Sequence, residues 1–158
     1  MTIDSPNYDE ARKILANLYL KIGEYALAES ELRELIEIKP DDEDAYNDLG
    51  NVYIKLGKID EAEEMFKSAL KVKPDYNIAI FNLANIYAYK EKYEDAERLL
   101  VKLISSGTKN PAVYKRLGLV YLMMGKIRPA KEKLTIALSL APDDEETKYY
   151  LDSIKNIR

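Results

Sequence analysis

The sequence predicts an all-α fold of stacked helix pairs, with about nine helices in the chain. Three observations predict it. Tyr19, Tyr53, Tyr87 and Tyr121 stand 34 residues apart. Leu15, Leu49, Leu83 and Leu117 precede them at one constant offset, and Ala28, Ala62, Ala96 and Ala130 follow at another. Pro40, Pro74 and Pro142 then recur 21 residues after three of the tyrosines. A register that never slips divides the chain into a lead-in at 1–8, repeats at 9–42, 43–76, 77–110 and 111–144, and a terminal helix at 145–158.

The second repeat shows why each unit is a helix pair. Residues 44–56 carry Tyr46, Leu49, Gly50 and Tyr53 on one face, and 59–72 carry Ala62, Phe66, Ala69 and Leu70. Gly57 lies between them, where a helix end relaxes into a left-handed residue. Gly50 and Ala62 are small where the two backbones approach, and larger side chains there overpack. Proline stops the second helix, and the acidic run Asp41-Asp42-Glu43-Asp44 suits the positive start of the next. Capping accounts for that run better than a metal site does.

The pattern Tyr46–Leu49–Gly50–Tyr53–Gly57–Ala62–Phe66–Ala69–Pro74 resembles the tetratricopeptide repeat, and it is met over residues 9–144. The resemblance implies an α-α superhelix, a solenoid whose concave groove binds other proteins. Some positions depart from the family pattern. In the first repeat Arg12 replaces a large apolar residue and Leu35 a small one. In the third, Glu91 stands at the turn glycine and Leu103 at a small residue. That repeat lacks its terminal proline, so its second helix is expected to end at Gly107, with Pro111 opening the next unit. Pro129 falls at the start of a helix, where only the first turn tolerates it. In the terminal helix, Tyr150, Leu151, Ile154 and Ile157 form an inner stripe beneath a charged exterior, as a solenoid cap requires.

Composition removes whole function classes. The 158 residues include no Cys and no His, which excludes thiolate and imidazole catalysis, disulfides and the usual zinc sites. There is no Gly-rich phosphate loop, nucleophile elbow or metal-ligand cluster, so the expectation is a non-enzymatic protein without cofactor or metal. A net charge of −4 argues against nucleic acid as a partner. No apolar run is long enough to span a membrane. The first residues carry no basic and apolar leader, and the expected location is cytoplasmic.

The resemblance assigns the groove to the other stripe of each first helix. In the first two repeats that stripe contains Lys13, Asn17, Lys21, Asn47, Asn51 and Lys55. In the last two it contains Ile78, Phe81, Asn82, Asn85, Tyr89, Lys115, Arg116, Leu119 and Met123. Asn17, Asn51 and Asn85 are equivalent, and an amide there offers a donor and an acceptor to a peptide backbone. Phe81 and Met123 have no packing role in the pattern, and exposed apolar clusters mark interfaces. Charge is uneven too: the four repeats carry −4, −3, +1 and +3. Lys126, Arg128, Lys131 and Lys133 form a basic surface in the fourth. The expected partner is therefore another protein or peptide of acidic or amphipathic character, with self-association into a scaffold as the alternative. The carboxylate clamp that some relatives use on chaperone tails is incomplete here. Asp48, Ile78 and Asn82 fill three of its places in one frame, and Asn47 and Ala112 replace its lysines in the other.

Overall fold

The computed structural model describes residues 6–155 and 157, with backbone alone at residues 6 and 7. Among the described residues there are nine helices: α1 (Pro6–Ile22), α2 (Tyr25–Ile38), α3 (Glu43–Lys55), α4 (Ile59–Val72), α5 (Asn77–Tyr89), α6 (Tyr93–Ser105), α7 (Pro111–Met123), α8 (Ile127–Leu140) and α9 (Glu145–Ser153). By contact the chain forms two compact units, Met1–Ala79 and Ile80–Arg158. In the first unit α1 packs on α2, α2 on α3 and α3 on α4. In the second, α6 packs on α7, α7 on α8 and α8 on α9.

Each unit buries the residues that the 34-residue register marks as inner. Leu32, Leu35, Val52 and Phe66 are fully covered in the first; Ile80, Leu100, Leu103, Leu117, Val120 and Leu134 are covered in the second. Each such side chain contributes about 1.5–3 kcal/mol of transfer free energy. Leu35 and Leu103, the large residues at small positions, are among them, so the core accommodates both. Gly50 lies against the Phe66 ring so closely that a Cβ would stand 2.6 Å from it. Gly118 meets Leu134 in the same way, at 2.7 Å. A side chain at either glycine would drive the paired helices apart.

The turns have one physical origin. Gly57 has φ +73°; its N–H donates to the Ile54 carbonyl at 3.0 Å, and the Lys58 N–H donates to the Tyr53 carbonyl at 2.9 Å. This left-handed cap satisfies carbonyls that the helix end leaves free. Gly23, Gly107 and Gly125 repeat it. Gly107 therefore closes α6 without a proline, as the sequence implies. Glu91 is the exception in residue type only, with φ 59° and the same pair of bonds.

Three of the first helices, α3, α7 and α9, start on side-chain caps. Asp42 accepts from the Ala45 N–H at 2.9 Å, Asn110 from the Ala112 N–H at 3.0 Å and Asp144 from the Thr147 N–H at 3.3 Å. Pro129 is the third residue of α8, inside the first turn that needs no donor there. Two boundaries differ from expectation. The helix α1 begins at Pro6, inside the expected lead-in at 1–8. The helix α9 ends at Ser153, and Ile157 is 53% exposed, so it does not join the inner stripe with Ile154. The short helix runs out before a further turn can bury it.

Candidate protein-binding groove

A recess of about 700 Å³ opens on the second unit. The helix α5 gives it Phe81, Asn85, Ala88 and Tyr89, and α6 gives Tyr93. The helix α7 forms the floor with Ala112, Lys115, Arg116, Leu119, Val120, Leu122 and Met123. Glu146 and Tyr150 of α9 close the far wall. Tyr89 and Met123 are 73% and 69% exposed. These are large apolar surfaces left in water side by side, at a repeat position that holds Lys21 and Lys55 in the first two repeats, and such surfaces mark interaction sites.

The polar groups here divide into committed and free ones. Lys115 pairs with Glu146 at 2.8 Å and with Asp144 at 2.9 Å. The hydrogen bonds it donates to Glu146 and Asp144 raise its pKa, so its charge is spent on seating α9. Asp144 falls to about 2, through the Lys115 ammonium first and the Thr147 bonds second. Arg116, half-buried in the lining, makes no ion pair or hydrogen bond among the described residues. The Asn85 Oδ1 is covered and unpartnered. An orphaned carbonyl of this kind costs about 1–3 kcal/mol until a donor reaches it. The recess thus offers apolar and aromatic anchorage and a free cation.

Of the residues singled out by sequence, Phe81, Asn85, Tyr89, Lys115, Arg116, Leu119 and Met123 are brought together here. Ile78, 54% exposed, lies in the first unit and outside this lining, and Asn82 is half-buried with interactions of its own. A smaller hollow on the first unit, of about 340 Å³, is lined by Arg33, Ile36, Glu37, Tyr46, Leu49, Tyr53 and Met65. Lys13 bonds Asp42 at 3.0 Å and Asp44 at 3.4 Å, locking the start of α3. Burial pulls its pKa down, but those two carboxylates outweigh it and raise it. Asn47 is a correction: only 4% exposed, it is packed against the protein rather than presented to a ligand. Asn51 is half-buried and partnered; Asn17, Lys21 and Lys55 are exposed. In the basic group, Lys126 pairs with Glu97 at 3.0 Å and Lys133 with Glu132 at 2.7 Å, while Arg128 and Lys131 stay exposed without an ion pair among the described residues.

Sequence reasoning missed the α9 wall. The signal was present, because Glu146 and Tyr150 fall on the same 34-residue register as Ala112 and Arg116. The terminal helix is a fifth first-type helix, so its equivalent face reaches the groove. Among the described residues no cluster of acidic side chains could hold a metal, and no helix is long and apolar enough to cross a membrane.

The chain resembles known proteins at the level of its repeats. A solved structure titled "MamA 41-end from Desulfovibrio magneticus RS-1" superposes with TM-score 0.86 at 19% identity, covering 93% of this chain and 83% of that one. The thermophilic TPR protein TTC0263 of Thermus thermophilus gives 0.78 at 24% identity, covering 96% and 84%. In the structure titled APC/C hetero-tetramer Cut9-Hcn1 the match has TM-score 0.84 at 20% identity and covers 92% of this chain and 29% of that one. No curated protein sequence matches the chain. The family model described as the middle TPR-like domain of cilia and flagella-associated protein 70 matches residues 13–140. An all-α chain of helix pairs in this register, matched by that model over most of its length, belongs to the tetratricopeptide-repeat-like family.

Proposed function

We propose that this protein is a non-enzymatic binding module that holds an acidic, apolar-anchored segment of another protein in the groove of its second unit. Protein interaction and scaffolding are the general role of the fold. The observation that carries the finer reading is the pairing of exposed Tyr89 and Met123 with the uncommitted Arg116 in one recess. Aromatic and methionine surfaces give anchorage that adapts to shape. The free guanidinium selects a carboxylate and fixes its orientation by paired donors. The second unit supports this by charge, with fourteen Lys and Arg against ten Asp and Glu, net +4. Glu146 stands at the rim but is neutralised by Lys115.

Selection from a random peptide library tests the reading. Wild type is expected to enrich segments combining a large apolar residue with Asp or Glu. Arg116→Glu should shift the preference toward Lys and Arg, and Met123→Asp should abolish enrichment while the melting curve stays near wild type. Equal selections by all three proteins would remove the groove from the account.

A further inference from the structure

The ends of the repeat array carry an unusual complementarity. Leu18 is equivalent by register to Val52 and Val120. Those two are 0% and 1% exposed, where α2 packs on α3 and α6 on α7. Leu18 is 51% exposed, and one turn to either side Ile14 and Ile22 are each 62% exposed. The first helix therefore presents the apolar face that elsewhere seats on a preceding helix pair. At the other end, Ile154 holds the same register position as Leu18 and is 4% exposed. So α9 fills, on α8, the kind of socket that the α1 face fits.

The charges at these ends match in the same register. Within each unit one junction is tied by a glutamate of the earlier pair and a lysine of the later one: Glu29 with Lys58 at 3.3 Å, and Glu97 with Lys126 at 3.0 Å. In the first and fourth repeats the signs at the corresponding outward positions are exchanged. The lysine position holds Glu24 in the first repeat, and the glutamate position holds Lys131 in the fourth. Both are exposed and have no ion pair among the described residues. Glu10 is likewise equivalent to Glu146, the residue that Lys115 binds.

We infer that α9 is a displaceable stopper, and that the α1 face of a second copy of this chain takes its place on α8, joining copies head to tail. Leu18 of the incoming copy enters the socket of Ile154, Glu24 meets Lys131, and Glu10 meets Lys115. The contact is heterologous, joining two different faces instead of one face to itself. The tethered α9 competes at high effective concentration, so the array grows only when protein is abundant or α9 is released. The charge balance agrees, since the unit that donates α1 carries ten Lys and Arg against eighteen Asp and Glu, net −8, and the accepting unit +4.

Sedimentation of the full chain decides this. Ile154→Asp, which unseats α9, should raise the weight-average mass with concentration to about two copies or more. Adding Leu18→Asp should return it to the monomer. Glu24→Lys should suppress assembly in that background, and Lys131→Glu added to it should restore it. A folded Ile154→Asp protein that stays monomeric at every concentration overturns the inference. If that variant loses its helical signal, wild type and Leu18→Asp are compared at the highest soluble concentration. A larger mass for wild type alone supports the stopper, and equal masses overturn it.

Discussion

Glu91 shows how a single residue can obey the fold while opposing its own preference. Its backbone takes the left-handed conformation that glycine supplies at four other turns, because the closing bonds of the α5 cap demand it. A side chain in that conformation costs about 1–2 kcal/mol. Glu91→Gly is expected to stabilise the chain by about 1 kcal/mol net of the added chain entropy of glycine. Chemical denaturation reads this directly, and a destabilised variant would show that the Glu91 side chain is itself a needed contact. Gly50 is the opposite case. Alanine there gains helix propensity of about 1 kcal/mol but drives a methyl into the Phe66 ring. The flat ring is held by a full shell of neighbours, so Gly50→Ala should lose about 1–3 kcal/mol. No loss in the denaturation midpoint would mean that Phe66 can swing aside.

At the level of one helix, α9 depends on a small set of charges. Asp144 caps it through Thr147 and receives Lys115. Its folded pKa lies at about 2, below the ordinary 3.8. A lowered carboxylate pKa means that the unfolded state binds the proton more readily. The contribution is therefore complete above 3.8 and is lost as pH falls from there toward about 2. In hydrogen exchange, the α9 amides of wild type should lose protection across that window. Asp144→Asn should be less protected at neutral pH and show a flatter acid limb. Parallel acid limbs for the two proteins would remove Asp144 as the cause. The first repeat has its own charged device. Arg12 holds Glu31 and Glu34 at 2.5 Å each and stacks on Tyr8 at 4.6 Å, where the family pattern has a large apolar side chain. The ionic cluster replaces packing at that helix pair.

Over the whole molecule, the two units carry opposite charge, −8 and +4, and only the positive one presents the larger apolar recess. An acidic peptide bound there should weaken as salt rises, because the screening length shortens to about 8 Å at physiological ionic strength. Fluorescence anisotropy with a labelled library-selected peptide checks this. The weakening should be smaller in Arg116→Gln, and equal salt dependence in the two proteins would place the charge recognition elsewhere.

The sequence by itself determined the helix pairs, their register, the core and the turns. Burial and turn geometry act on every copy alike, so a constant spacing of Tyr, Leu, Ala and Pro records them. It also contained the apolar half of the groove, since Phe81, Tyr89 and Met123 break the polar pattern of their stripe. Tertiary structure alone decided which polar groups remain available. Lys13 and Lys115 occupy one repeat position, yet each is held by carboxylates about thirty residues ahead. Asn47 and Asn85 read alike as groove amides, and one is packed away while the other is left with an unpaired oxygen. The physical reason is range. Periodicity reports which face of a helix a residue occupies, whereas pairing depends on where a distant side chain ends, and a repeat spacing does not encode that.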